Sequence, residues 1–296
     1  ISVLYTSIWI LHKTLKENSM PDMPQSQSIN LNGLDIVYYE WGQKNAPVLI
    51  CLHSHTNTAV SWREFAEFAS EKYHVFAFDQ RGHGESQWAK DGYARDKFVS
   101  DLQEFVSKKE LSPFTLVGCS MGGWHSILYT KNNQEKVDKI VMVDIAPEPS
   151  LERLNSPPAQ PAPDFFETLE DGIDWIKASN AFATRDRLEE DAQSKLRILE
   201  NGQWEWKADL KGFDNPLPDM TDPNLIGRYW DAIETIKCPI LEIRGSESGL
   251  VSDEVIDQMK AKGNDISSVD VPLAGHVVMV DQPESFISSI RTFIGM

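Results

Sequence analysis

Cysteine is scarce, with three in 296 residues. Three thiols cannot build a disulfide framework. Cys51, Cys119 and Cys238 fall in or beside apolar runs, so buried free thiols in a reducing, cytoplasmic setting are expected. Basic residues are also few: 28 Lys and Arg against 45 Asp and Glu, a net charge of -17. That balance argues against a nucleic-acid partner and against an anionic membrane surface. Long apolar runs are missing too. Residues 1–15 are apolar and aromatic, with Lys16 behind them, but the stretch is too short to span a bilayer and has no small-residue cleavage site. No stable membrane insertion is expected. Residues 1–26 read as an N-terminal extension outside the fold, with Met20 a plausible start. No G-x-G-x-x-G follows a strand, and Gly82-His83-Gly84 is too short to cradle a dinucleotide. His53 and His55 alternate as a metal pair would, yet no Cys or carboxylate cluster accompanies them. Neither a metal nor a cofactor is expected.

What is present centres on Gly118-Cys119-Ser120-Met121-Gly122. The run 114–117 before it reads as a buried strand and 123–129 after it as a helix. Strand, G-x-S-x-G and helix form the context of a nucleophile elbow, in which a serine sits on a strained turn with its hydroxyl exposed. Bulk at Gly118 or Gly122 would crowd that turn. The first amides of the following helix are unpaired and carry partial positive charge, which suits a developing oxyanion.

The rest of the chain alternates. Residues 28–31 and 34–39 read as a hairpin around Asn32-Gly33. Strands are expected at 47–52, 74–78, 114–117 and 137–143, with helices over 60–72 and 94–109 between them. Alternation then stops. Residues 148–233 are Pro-rich, then helical and polar, with helices expected over 165–179, 185–199 and 223–236 and a short extended piece at 202–206. This reads as an inserted helical cap. Alternation resumes with strand 239–244, helix 252–262, strand 267–271 and helix 284–294. The order predicts an antiparallel start and a mostly parallel sheet with crossover helices, in which ligands bind beyond the carboxyl ends of the strands. His53, Asp79, Ser120, Asp144, Ser248 and His276 all fall there.

From about Gln27 to Met296 the chain resembles the α/β-hydrolase family. The loop after Leu52, the turn 79–86, the elbow at Ser120 and Gly275-His276 carry the resemblance. It implies an α/β-hydrolase fold: a mostly parallel eight-stranded sheet with flanking helices, divided as core 27–147, cap 148–233 and core 234–296. The family's chain order of serine, acid and histidine makes Ser120 the nucleophile and His276 the general base. The backbone amides of His55 and Met121 would form the oxyanion hole. Ser54 departs from the His-Gly usual in that loop. The acid is the open point. The commonest family position, three residues past Gly245, holds Ser248. Either Asp144 supplies the carboxylate, with Ser248 as a fourth hydrogen-bonding member, or Glu247 turns inward. Asp144 is favoured because Glu247 is one residue out of register.

These residues imply a serine hydrolase acting on small to medium carboxylic esters through an acyl-enzyme. The partner is then a small-molecule ester. The same residues would serve C–C bond or lactone hydrolysis, and the departures at Ser54 and Ser248 keep open a catalytically weak ligand-binding receptor. Oligomeric state is not legible.

Overall fold

A computed structural model describes residues 23–150, 161–213 and 222–296. Most of the expected N-terminal extension, and residues 151–160 and 214–221 of the expected insertion, lie outside the described residues. Met23, expected outside the fold, packs against the core.

The chain enters through β1 (Gln27–Leu31) and β2 (Leu34–Trp41), an antiparallel pair. Asn32 and Gly33 between them have φ of 49° and 84°. Two successive positive φ values give the tight turn whose twist matches that of the strands, and Asn-Gly is the pair that tolerates it best. β3 (Val48–Leu52), β4 (His74–Phe78), β5 (Phe114–Cys119), β6 (Val137–Val143), β10 (Ile240–Gly245) and β11 (Ile266–Val271) complete the main sheet. Its order is β1-β2-β4-β3-β5-β6-β10-β11. β2 meets β4 antiparallel, and every later pairing is parallel.

The continuous apolar runs of the inner strands follow from burial on both faces. Leu49 and Cys51 of β3 join one core layer, and Ile50 and Leu52 the other. α1 (Arg63–Ala69) and α8 (Pro283–Ile294) cover the first face through Phe65, Ala66, Phe286 and Ile290. A 3-10 turn over Ala59–Trp62 precedes α1, where one continuous helix was expected. α2 (Arg95–Lys108), α3 (Met121–Asn132), α6 (Pro223–Thr235) and α7 (Asp253–Lys262) cover the other face. α6 was expected in the inserted cap. Instead its Leu225, Tyr229, Ala232 and Ile233 belong to the core layer under α3. Tyr229 stacks on Trp124 with ring centroids 5.5 Å apart, a contact that adds about 1 kcal/mol beyond its burial.

Between β6 and α6 the described chain forms a separate small unit. α4 (Leu169–Lys177) and α5 (Arg185–Lys195) pack with a three-stranded antiparallel sheet in the order β7-β9-β8, made of β7 (Phe165–Phe166), β8 (Leu196–Ile198) and β9 (Trp204–Trp206). Phe166, Ile173, Ile176, Leu188, Leu196 and Trp206 are its core. Two expected helices are therefore shorter than the sequence predicts. Thr168 forms a capping box with Asp171 and starts α4 there, after Phe165 and Phe166 have paired with β9. The stretch 196–198 leaves α5 to pair with Trp204–Trp206 across a turn at Gly202, φ 88°. This unit is joined to the core by Arg63, whose Nε lies 2.5 Å from Glu190 Oε1, and by the Thr58 hydroxyl, which donates to Ser194 at 3.0 Å.

Candidate active site

Ser120 sits between β5 and α3 with φ 49° and ψ -116°. That is an unfavourable conformation for a residue with a side chain, and it is held from both sides. The Ser120 amide donates to Val143 O at 3.1 Å, and the Ser120 carbonyl accepts from Trp124 N at 3.0 Å. The two flanking glycines have a steric reason. A Cβ at Gly118 would collide with the carbonyl of Gly122, and one at Gly122 with the carbonyl of Leu52. The turn therefore needs glycine at both flanks. Met121 is the first residue of α3, so geometry leaves its amide without an intrahelical acceptor.

Two strand ends meet beside this turn. Asp144 follows β6, is fully buried, and has φ 52°. Its Oδ1 accepts from the Gly245 amide at 3.2 Å. Its Oδ2 accepts from His276 Nδ1 at 2.7 Å and from the Ser248 hydroxyl. Ser248 Oγ in turn accepts from the Leu250 amide at 3.3 Å. A carboxylate only accepts, so Nδ1 carries the proton of this bond, and Nε2 is the ring nitrogen that Asp144 does not engage. The His276 side chain is 31% exposed while that of Asp144 is 0%. The imidazole is thus partly open to solvent, whereas the carboxylate that orients it is sealed off from it.

Glu247 is placed differently. It is exposed, and its Oε1 accepts from the neighbouring Ser246 hydroxyl at 2.9 Å. A buried hydrogen bond to a charged group contributes about 1.5–3 kcal/mol, and an exposed one far less. The geometry therefore favours Asp144 as the partner of His276.

On the other side of Ser120 lies the loop after β3. His53 is fully buried: Nδ1 donates to Ser54 O at 2.8 Å, and Nε2 accepts from the Gln80 amide at 2.8 Å. Ser54, the departure from His-Gly, is integrated into the turn. Its Oγ accepts from Asn57 Nδ2 at 2.5 Å and its carbonyl from the Asn57 amide at 3.1 Å. His55 lies edge-on to Phe213, with centroids 4.9 Å apart, and to His83 at 5.7 Å. Burial pushes the imidazoles of His53 and His55 down to about 4, with the Arg95 charge adding to the effect at His55. His83 and His125 are held well below the ordinary value, again chiefly by burial. The four are neutral imidazoles in an aromatic setting. Gln80 links two of them: its Nε2 donates to His53 O at 2.7 Å, and its Oε1 accepts from His125 Nδ1 at 2.8 Å. Among the described residues no group of three His, Cys, Asp or Glu could hold a metal ion.

Ser120, His276, Asp144, Ser248, Glu247, His55 and Met121 all line one cavity of about 990 Å³. Trp175, Phe182 and Trp206 line it from the small unit between β6 and α6. The sequence reading passed over Gln80 and Glu242. Glu242 is a carboxylate inside β10 between buried Leu241 and Ile243, and that break in an apolar run was the available signal.

A profile of the alpha/beta hydrolase fold family matches residues 47–283. A 3-hydroxybutyrate-oligomer hydrolase of Cupriavidus necator is 28% identical, over 94% of this chain and 99% of its own length. The esterase Rv0045c of Mycobacterium tuberculosis is 25% identical, over 91% of this chain and 89% of its own. A crystal structure of that esterase superposes with a TM-score of 0.72 at 22% identity, covering 97% of this chain and 96% of that one. The structure of E-2-(acetamidomethylene)succinate hydrolase gives a TM-score of 0.78 at 22% identity, covering 92% of this chain and 99% of that chain. No described helix is long and apolar enough to cross a membrane.

Proposed function

The chain belongs to the α/β-hydrolase fold family, whose relatives here are hydrolases and esterases, and on that premise we propose that it is a serine hydrolase of carboxylic esters. Ser120 is the nucleophile, His276 the general base and Asp144 the acid. The observation that carries the reading is the 2.7 Å bond from His276 Nδ1 to the buried Asp144, beside a strained Ser120 that opens into the same cavity.

The mechanism follows from the proton positions. Ser120 Oγ attacks the ester carbonyl as its proton passes to His276 Nε2, and the ionised Asp144 stabilises the imidazolium that results. The Met121 and His55 amides take the oxyanion. His276 returns the proton to the leaving alkoxide, which departs as an alcohol and leaves an acyl group on Ser120. Water, losing a proton to His276, then releases the acid and frees the serine. Ser248 supports the acid by donating to it.

We assign the unit formed by residues 161–213 as a cap that roofs the cavity and supplies Trp175, Phe182 and Trp206 to the substrate. Such a roof and about 990 Å³ of space suit substrates larger than a simple acetate. The Cupriavidus relative is named for oligomers of 3-hydroxybutyrate, so short aliphatic oligoesters of hydroxy acids are the first class to try. The paired acid and base support hydrolysis over a ligand-binding receptor, which would not need them.

The test is release of p-nitrophenol from short acyl esters by the full chain and by Ser120→Ala. Turnover falling on the order of 10⁶-fold with the fold retained is expected for a lost nucleophile. Near-normal turnover in the variant would refute the assignment.

A further inference from the structure

Asp144 bears a side chain yet sits at φ 52°, so something must hold its turn. Its own amide continues the sheet ladder, donating to Ile243 O at 2.8 Å. The next amide, that of Ile145, has left the ladder. Ile145 is buried, and its N–H donates to Glu242 Oε1 at 3.0 Å. Glu242 is fully buried on β10, opposite Met142 of β6 in the register. It therefore lies directly beneath the turn that carries the acid. We propose that Glu242 is a positioning residue for the reaction assigned above: its carboxyl group holds the Ile145 amide, and with it the turn that aims Asp144 at His276. This rests on Asp144 being the acid of that reaction.

The surroundings of Glu242 indicate how it does so. The ionisable groups that bear on it are Asp144 from β6, the Cys119 thiol at the end of β5 and Arg244 on its own strand. Arg244 is engaged elsewhere, bonding Asp270 at 2.9 Å and Asp253 at 2.7 Å. Glu242 Oε2 has no hydrogen-bond partner among the described residues. Burial, and next to it the Asp144 charge, push the carboxyl well above the usual carboxylate range. Glu242 thus acts as a neutral acid whose carbonyl oxygen accepts one amide. The two carboxyl groups have different partners: Asp144 bonds His276, and Glu242 holds the amide of the turn that carries Asp144. An ionised Glu242 would put a second negative charge beside the pair.

The test compares Glu242→Met, which removes the acceptor at similar length, with Glu242→Gln, which keeps a neutral acceptor. Three quantities are read: kcat and KM on p-nitrophenyl butyrate across pH, the thermal midpoint, and the low-field proton resonance of the bond from His276 Nδ1 to Asp144. A displaced acid should lower kcat in Glu242→Met on the order of 10²-fold and leave KM nearly unchanged. The low-field resonance should move or vanish. Glu242→Gln should restore turnover, the resonance and the wild-type pH profile. Glu242→Met with wild-type kcat and resonance would overturn the proposal. So would a folded Glu242→Gln with a displaced pH profile, since that would mean a charge had been removed. If Glu242→Met does not fold, Glu242→Gln alone decides on the same criteria. Ser120→Ala in parallel separates the two claims. A wild type without ester turnover would count against the assigned reaction, while the resonance would still report on Glu242.

Discussion

The two sides of Ser120 are built on opposite electrostatic plans. On the acid side, Asp144 is fully buried, and three donors converge on it: the Gly245 amide, the Ser248 hydroxyl and His276 Nδ1. On the histidine side, His53, His55, His83 and His125 are buried without charge. Nε2 of His55, His83 and His125 has no hydrogen-bond partner among the described residues. The difference reflects cost. A buried charge without donors is prohibitive, so the acid side must be complete. A neutral imidazole lacking one partner loses far less, so the histidine side tolerates gaps and is held by ring packing against Phe98 and Phe213. The acid side should therefore be sensitive in catalysis, and the histidine side in acid stability.

Substitutions that strike each side separately can break this comparison. Asp144→Asn should have the largest effect, lowering kcat on the order of 10⁴-fold through loss of the oriented tautomer, as read by steady-state kinetics on a p-nitrophenyl ester. Ser248→Ala should cost about 10-fold in kcat, the equivalent of one hydrogen bond to a charged group at about 1.4 kcal/mol. A loss as large as that of Asp144→Asn would make Ser248 a full member of the relay. His55→Gln should change kcat by about 1 kcal/mol or less, because the proposed role belongs to the backbone amide. An effect rivalling Asp144→Asn would abolish the contrast.

The contrast sharpens in a pH series of thermal midpoints. Folded His55 titrates at about 4, whereas in the unfolded chain it titrates near 6.5. Between those values the unfolded state takes up a proton that the folded state refuses, so wild type loses stability there as pH falls. His55→Gln removes that proton and should gain on wild type as pH drops from 6.5 to 4, by up to about 1.4 kcal/mol per pH unit. A constant difference across the window would mean that His55 is not held neutral. The smallest effect is expected for Glu247→Gln, an exposed change that should alter kcat/KM by no more than about 0.5 kcal/mol.

The same division explains what could be read in advance. The main-sheet strands along the chain and the turn at Ser120 were legible because they rest on local rules, two-sided burial of inner strands and the steric demand for glycine on either side of the turn. The choice between Asp144 and Glu247 stayed open because it depends on two strand ends, β6 and β10, that meet only in the folded sheet. Helices 165–179 and 185–199 were drawn too long because Phe165–Phe166 and Leu196–Ile198 are strands only when paired with Trp204–Trp206. α6 was assigned to the insertion because amphipathicity reveals that a face is buried without revealing its partner, here Trp124 on α3. The neutral histidine cluster was invisible because His53, Gln80, His83 and His125 come from three separate segments.

The most direct test of the central claim is the rate of phosphonylation by a fluorophosphonate, with the modified peptide identified by mass spectrometry in wild type, Asp144→Asn and Glu247→Gln. The account predicts one phosphonyl group on Ser120, added at the wild-type rate in Glu247→Gln and slowed by orders of magnitude in Asp144→Asn. Modification elsewhere, or slowing in Glu247→Gln with Asp144→Asn unaffected, would contradict it.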